Sequence, residues 1–448
     1  MSCRRVAACL LVCLALAGHR RLGLAQAPLS EPPAAIDVQS YQTRLRLDAQ
    51  ASEISATETI SFVVTVAASR VVEFDAGEIT VDRVVDAAGR ALVFAREGRR
   101  VRVTLASLPA SGEPITLEMR YRAGPSNGLR RLEHGDGFYT SFSTSRWMVS
   151  RDEPSERATV RLWLDVPDSW KVTASGAFVA RRAAGPGRAI EEWFERRPIP
   201  GYIAGFAAGT FREARSDADG VRFRALSAEH TVDELARVLA DAAPMARFFA
   251  ERAGVAYGLP EYTQVVAGGG IGQEASGFAV LPTDYARAVL DGRRSSLAAH
   301  ELAHQWWGNQ VTCLDWRHFW LNEGLTTFMT AAWIEARDGR AAYVREVASM
   351  RERYLAVRGA GHDKALLFPE WRAPSADDRT IVYQKGGYVV HLLRQALGDP
   401  AFWAGIRRFS QRGGTSVVSA DFQADMEAAS GRDLRAFFNE WVFASAAP

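Results

Sequence analysis

The sequence predicts a multidomain protein in which an antiparallel β domain over residues 28–214 precedes a mainly helical domain over residues 215–448. Three observations carry this. From Ile36 to about Phe211 apolar and polar side chains alternate, which is the period of a half-buried strand. After Arg222 the apolar residues recur every three or four positions, the period of a helix packed by one face. Between the two patterns the Gly- and Asp-rich stretch from Ser216 to Gly220 reads as the boundary. A chain of 448 residues has the length for two or three domains at about 150 residues each.

In chain order, the first segment has the layout of a secretory signal over residues 1–27. Arg4 and Arg5 are followed by an apolar run from Val6 to Gly18 and a small-residue site at Ala25-Gln26-Ala27. Export to the periplasm or the medium is the expectation. The apolar run falls short of the ~20 residues that span a bilayer, so a membrane location follows only if the segment is retained as an anchor. Cys3, Cys9 and Cys13 lie in this segment, which leaves Cys313 without a disulfide partner after cleavage and reads as a small buried hydrophobe.

The β domain is read from runs such as Ile60, Phe62, Val64 and Val66; Ile115, Leu117, Met119 and Tyr121; and Val160, Leu162, Leu164 and Val166. In each, polar residues fill the alternate positions and turn formers separate the runs. The helical part opens at Thr231, which with Glu234 forms a capping-box pattern ahead of Val232, Leu235 and Leu239. Hydrophobic residues make up 48% and charged residues 24%, which excludes a disordered or fibrous chain. Lys plus Arg (54) nearly balances Asp plus Glu (52), and no basic stripe is present, so nucleic acid is excluded as a partner.

The chemistry concentrates at Leu297 to Trp306, which contains His300-Glu301-Leu302-Ala303-His304 in a run free of Gly and Pro. Four residues advance a helix by about 400°, so His300 and His304 project from one face, one turn apart, and can share a metal ion. Glu301 projects beside them, placed to take a proton from an attacking water. Alone, this match serves equally for two histidines on a polar helix face. The second element is Leu321-Asn322-Glu323-Gly324, ahead of another stretch with helical spacing. Asn322 is expected to cap that helix, and Glu323 then stands in its first turn, able to act as third ligand and leave a fourth position open. One zinc ion per chain is the expected cofactor.

HELAHQWWGN followed by WLNEG resembles the zinc aminopeptidases of the aminopeptidase N and leukotriene hydrolase type, a gluzincin family. Arg151-Asp152-Glu153-Pro154, continuing to Ala158-Thr159, resembles the DEP-x-x-x-AT signature of the family's β domain, and Tyr383-Gln384-Lys385-Gly386-Gly387 resembles its YxKG motif. The resemblance runs from about residue 36 to the carboxyl terminus and is to a short form without the family's further domains. It implies a thermolysin-like α+β catalytic domain, with Tyr383 donating a hydrogen bond to the tetrahedral oxyanion. The stretch Gly268 to Gly277 resembles the family's GxMEN loop, so Glu274 takes the place of the residue that grips the substrate α-amine. Gly270 and Gly272 permit the close backbone approach that strand addition needs. Gln273 and Ala275 stand where the pattern has Met and Asn. Tyr139 to Thr144 supplies neither the carboxylate nor the amide that the family often places beside the amine.

These readings combine into a zinc-dependent aminopeptidase acting on peptides with a free amino terminus. Two alternatives stay open: a zinc endopeptidase or other metal-dependent hydrolase indifferent to the amino terminus, and a non-catalytic binding module on the same scaffold. Trp306, Trp307, Trp316 and Trp320 are read as core, and His134, His230, His318, His362 and His391 as ordinary surface or hydrogen-bonded histidines.

Overall fold

The computed structural model describes residues 33–444 apart from 67–68, 271, 294–295, 369–370 and 372. The expected signal segment 1–27, with Cys3, Cys9 and Cys13, lies outside the described residues. The alternating runs form strands as expected. Pro114–Ala123, Arg157–Pro167 and Ile54–Val66 each bury every second side chain over most of their length. They belong to a seven-stranded sheet. Its central strand, Ala35–Arg46, pairs antiparallel with Ile54–Val66 and parallel with Arg157–Pro167. The one parallel pairing arises because the chain makes a long excursion through two smaller sheets before it returns.

The stretch Ser216 to Gly220 is not a linker. It contains the two-residue turn, Asp219-Gly220, of a hairpin whose arms are Arg212–Ala218 and Val221–Ser227. Both turn residues have positive φ (52° and 78°), as a turn matched to strand twist requires. Gly and Asp mark linkers and tight hairpins alike, which is why the sequence pattern misled. This hairpin begins a five-stranded sheet that continues through Glu261–Val266 and Phe278–Leu281 and ends at the edge strand Gln273–Ala275. Thr231 and Glu234 close the expected capping box, with Thr231 N–H donating to Glu234 at 2.8 Å and Glu234 N–H to Thr231 Oγ1 at 3.3 Å.

The helical part packs around Trp320–Asp338, a helix that is buried on all sides through Ile334. Helices Leu297–Ala303, Arg340–Gly359 and Gly386–Leu397 pack about it. Trp306, Trp307 and Trp320 are core residues, as expected. A separate apolar cluster joins the two parts: Leu132, Tyr139, Ala207 and Phe211 from the β domain meet Val265, Ala275, Phe278 and Val280 of the five-stranded sheet.

One helix crossing is decided by glycine. A Cβ on Gly324 would lie 2.8 Å from Gly386 Cα and 3.0 Å from Val382 O, both backbone atoms that cannot rotate aside. The glycines of the NEG and YQKGG motifs are therefore the contact at which two helices meet. Gly324→Ala should lower stability by about 1–3 kcal/mol, the usual scale of overpacking. A urea midpoint equal to that of the unsubstituted protein would show that the helices part freely.

Candidate metal centre and substrate cleft

His300 stands in the helix Leu297–Ala303, and His304 continues it with helical backbone angles, its N–H bonded to His300 O. The fourth residue of Trp320–Asp338 is Glu323. Asn322 does not cap that helix. Phe319 already has helical angles (φ −62°, ψ −20°), so the preceding turn runs straight into it, and Asp315 caps the turn by accepting from Arg317 N–H. Asn322 instead accepts from Cys313 N–H at 3.0 Å and donates to the Tyr202 hydroxyl at 2.9 Å.

The three donor atoms converge. His300 Nε2 lies 3.2 Å and His304 Nε2 3.3 Å from Glu323 Oε2, and the two nitrogens are 3.2 Å apart. A tetrahedral ion with bonds of about 2.0–2.1 Å has edges of about 3.3–3.4 Å, so these donors form one face of such a tetrahedron and leave one apex open. His304 Nδ1 lies 3.0 Å from Trp307 O. A proton on Nδ1 donates to that carbonyl and leaves the Nε2 lone pair for a metal. Burial pushes the Glu301 carboxyl well above its usual range, and burial with the Glu323 charge lifts Glu274 to about 7. Three carboxylates beside two imidazoles in a dry site call for a cation, and this donor set fits zinc.

Glu301 is buried against Gly272, where a Cβ would overlap its Oε1. Donor atoms of Glu274, Glu301 and His304 lie within 4.8 Å of one another, so Glu274 stands next to the metal position. The Tyr383 ring stacks on His300 at 5.9 Å and 17°. Burial keeps its phenol protonated, aided by the charges of Glu323, Glu274 and Glu301. Tyr383 is carried by a π-helical turn, Ile381–Lys385. The buried Lys385 anchors that turn through Asp363 at 2.8 Å and Lys364 O at 2.5 Å. Gly270 has φ 111°, open only to glycine, and with Gly272 it lines the same cavity, of about 1110 Å³, as all the expected site residues.

Three residues were overlooked in the sequence. Gln305 donates to Ala275 O at 2.8 Å and accepts from Gly277 N–H at 3.0 Å, and Asn309 donates to Ala275 O at 3.3 Å. They clamp the strand that carries Glu274, and both lie in HELAHQWWGN, whose amides were passed over for its histidines. Tyr202 lines the cavity beside Trp316, which is only half-buried, packing against the core on one side and on Tyr202 at 5.2 Å in the cavity wall. His318 pairs with Ser419 at 2.9 Å and His391 with Tyr343 at 2.7 Å. Among the described residues neither they nor His134, His230 and His362 join a group of metal donors.

Residues 278–441 match the peptidase family M1 domain. In that segment the chain is similar to family M1, and over a longer stretch to proteins of the aminopeptidase N type. It is 28% identical over 371 residues to aminopeptidase N of Caulobacter vibrioides, covering 75% of this chain and 41% of that one. With aminopeptidase N of Escherichia coli it is 28% identical over 376 residues, 77% of this chain and 42% of the relative. The chain thus spans about two fifths of the length of these relatives. The M1 zinc metallopeptidase from Deinococcus radiodurans shares the fold, with a TM-score of 0.75 at 22% identity over 93% of this chain and 95% of that one. The β domain followed by a helical domain therefore has the same fold as that two-domain metallopeptidase.

Purified protein should carry close to one zinc per chain, and His304→Ala should lose most of it. Full peptidase activity after exhaustive chelation would sink the metal assignment. Glu301→Gln keeps size but not basicity, so zinc should stay while turnover collapses. Tyr383→Phe should lower kcat by roughly a hundredfold or more, the scale of one lost oxyanion donor, and an effect on KM alone would remove Tyr383 from that role.

Proposed function

We propose that the protein is a zinc-dependent aminopeptidase that removes amino-terminal residues from peptides. The observation that carries this is the position of Glu274 relative to the metal site. Its carboxylate lies within 4.8 Å of a ring nitrogen of His304. In a peptide, the amine nitrogen and the carbonyl carbon of one residue are only about 2.5 Å apart, two covalent bonds at a tetrahedral angle. The carboxylate therefore meets the α-amine of the same residue whose carbonyl faces the metal. An internal residue would present a neutral amide and a continuing chain there. The edge strand Gln273–Ala275 offers free backbone groups on which a peptide can add as a further strand.

Zinc held by His300, His304 and Glu323 would polarise the scissile carbonyl and acidify the attacking water. Glu301, pressed against Gly272, takes the proton of that water and passes it to the departing amine. The Tyr383 hydroxyl donates to the oxygen that gains charge. Glu274, once it faces an ammonium, is a carboxylate accepting a charge-assisted hydrogen bond. The relatives named above are aminopeptidases, and a variant of the Deinococcus protein was solved with a Tyr-Ser-Ala substrate.

Removal of Glu274 leaves an ammonium buried without a partner, which costs about 2 to 5 kcal/mol, a loss of roughly thirtyfold to several thousandfold in kcat/KM. Glu274→Ala should reduce turnover of free-amine peptides by that factor and hardly change that of acetylated ones. Equal cleavage of acetylated and free peptides by the wild type, or equal damage to both by the substitution, would favour an endopeptidase.

Export is part of the same proposal, supported by the layout of residues 1–27. No helix among the described residues is long and apolar enough to cross a membrane. Protein recovered from the periplasm or medium should begin near residue 28 on amino-terminal sequencing, and an uncleaved start would overturn this.

A further inference from the structure

We infer that a second cavity, at the far end of the helix that carries Glu323, binds a small anion of the carboxylate or phosphate type on the guanidinium groups of Arg252 and Arg407. This site is independent of the aminopeptidase reading. The cavity holds about 530 Å³ and lies where the helices Ala242–Ala253 and Asp399–Ser410 meet Trp320–Asp338. Trp320–Asp338 contributes Ala332, Glu335 and Ala336 to its wall. Glu335 stands twelve residues beyond Glu323 on that helix, about 18 Å at 1.5 Å per residue, so the cavity is separate from the metal centre.

The charges around this cavity do not balance. Arg394 donates to both oxygens of Asp399 at 2.8 Å and to Glu335 Oε2 at 2.6 Å, and Glu335 Oε1 accepts from Arg340 at 2.6 Å. Every carboxylate oxygen in the wall is thus already engaged. Arg252 and Arg407 line the same cavity, and among the described residues no carboxylate oxygen lies within 4.0 Å of the nitrogens of either. Two cations share one cavity without a counter-charge, a deficit that a bound anion removes.

Arg252 is held in an orientation that suits such a ligand. Its guanidinium carbon lies 5.0 Å from the centre of the Phe248 ring and 4.8 Å from that of Trp403. Stacking on rings occupies the faces of the group and leaves the N–H donors at its edge unspent. Its Nε is buried without an acceptor. Arg407 reaches the cavity from the neighbouring helix, its stem lying across Gly254, where a Cβ would stand 3.1 Å from its Cγ and Cδ. Gly254, with φ 64°, ends the helix that carries Arg252, so the two arginines converge at that helix end. A planar fork with a second cation beside it matches the oxygens of a carboxylate or phosphate, and hydrogen bonds between ionised partners are the stronger class.

The test titrates full-length, zinc-loaded protein with inorganic phosphate and, separately, with acetate, at an ionic strength held constant with chloride. Calorimetry should show saturable binding of at least one of the two, and the thermal midpoint should rise with its concentration. The tighter of the two tells a phosphate ligand from a carboxylate. Arg407→Gln, a change in an exposed side chain, and Arg252→Lys, which keeps the charge but loses the planar fork, should each weaken that binding by about tenfold or more. Peptide turnover by both variants in buffer without either anion should equal that of the wild type. No saturable binding of either anion overturns the inference. Equal binding by the wild type and Arg407→Gln overturns it too, since the anion then sits on the zinc, and this arm decides even if Arg252→Lys does not fold.

Discussion

Two imidazoles and a carboxylate with their donor atoms 3.2–3.3 Å apart in a dry interior are the constraint on which the remaining structure depends. Such a group persists only if each member is held from behind. His304 is held through Nδ1 by Trp307 O, with the Thr326 hydroxyl at 3.3 Å. Thr326 in turn belongs to the helix that carries Glu323, so ligand and support share one rigid element. That helix is positioned by its contact with Gly386, where neither chain has room for a side chain. The same contact brings the π-helical turn and its tyrosine over His300. A single backbone-to-backbone approach thus sets the distance between the donor atoms of His300, His304 and Glu323 and the hydroxyl of Tyr383.

The substrate side depends on a different frame. The strand with Glu274 lies at the edge of its sheet and has one neighbour, so its position comes from the side chains that grip it. Gln305 and Asn309 hold the Ala275 carbonyl, and Glu195 of the β domain accepts from the Ser276 hydroxyl at 2.5 Å. The apolar cluster around Tyr139 and Phe278 fixes the β domain against the back of the same sheet. Arg157 adds a polar tie to Thr312 at 2.9 Å, just past the metal-binding helix. The β domain is therefore a wall of the cleft, and the segment Phe142-Ser143 is where it enters the site.

Some departures from the family pattern have a physical account in this frame. Ala275, where the pattern has Asn, contributes its backbone carbonyl, and the two amides that grip it come from the metal-binding motif. Gln273, where the pattern has Met, spends its side-chain oxygen on Phe142 N–H. With no carboxylate or amide between Tyr139 and Thr144, the proposed hold on the substrate amine rests on Glu274.

What the sequence determined by itself is what short-range periodicity encodes. Alternation placed the strands of the β domain, and a four-residue interval put His300 and His304 on one helix face, because each depends on neighbours within a turn or a pleat. Helical spacing located a helix around Glu323 but set its start wrongly at Asn322, since a cap and an interior amide look alike until the path of the preceding turn is known. The Asp219-Gly220 hairpin was read as a boundary for a similar reason: turn residues do not announce whether the strands they join will pair. Tyr383 was legible only through resemblance, as no local pattern distinguishes it from any half-buried tyrosine. The tertiary structure alone decided that Gly324 meets Gly386, that Gln305 and Asn309 hold Ala275, and that Gln273 holds Phe142. These contacts join residues far apart in the chain, and their energies come from packing and hydrogen-bond geometry that one-dimensional spacing does not carry.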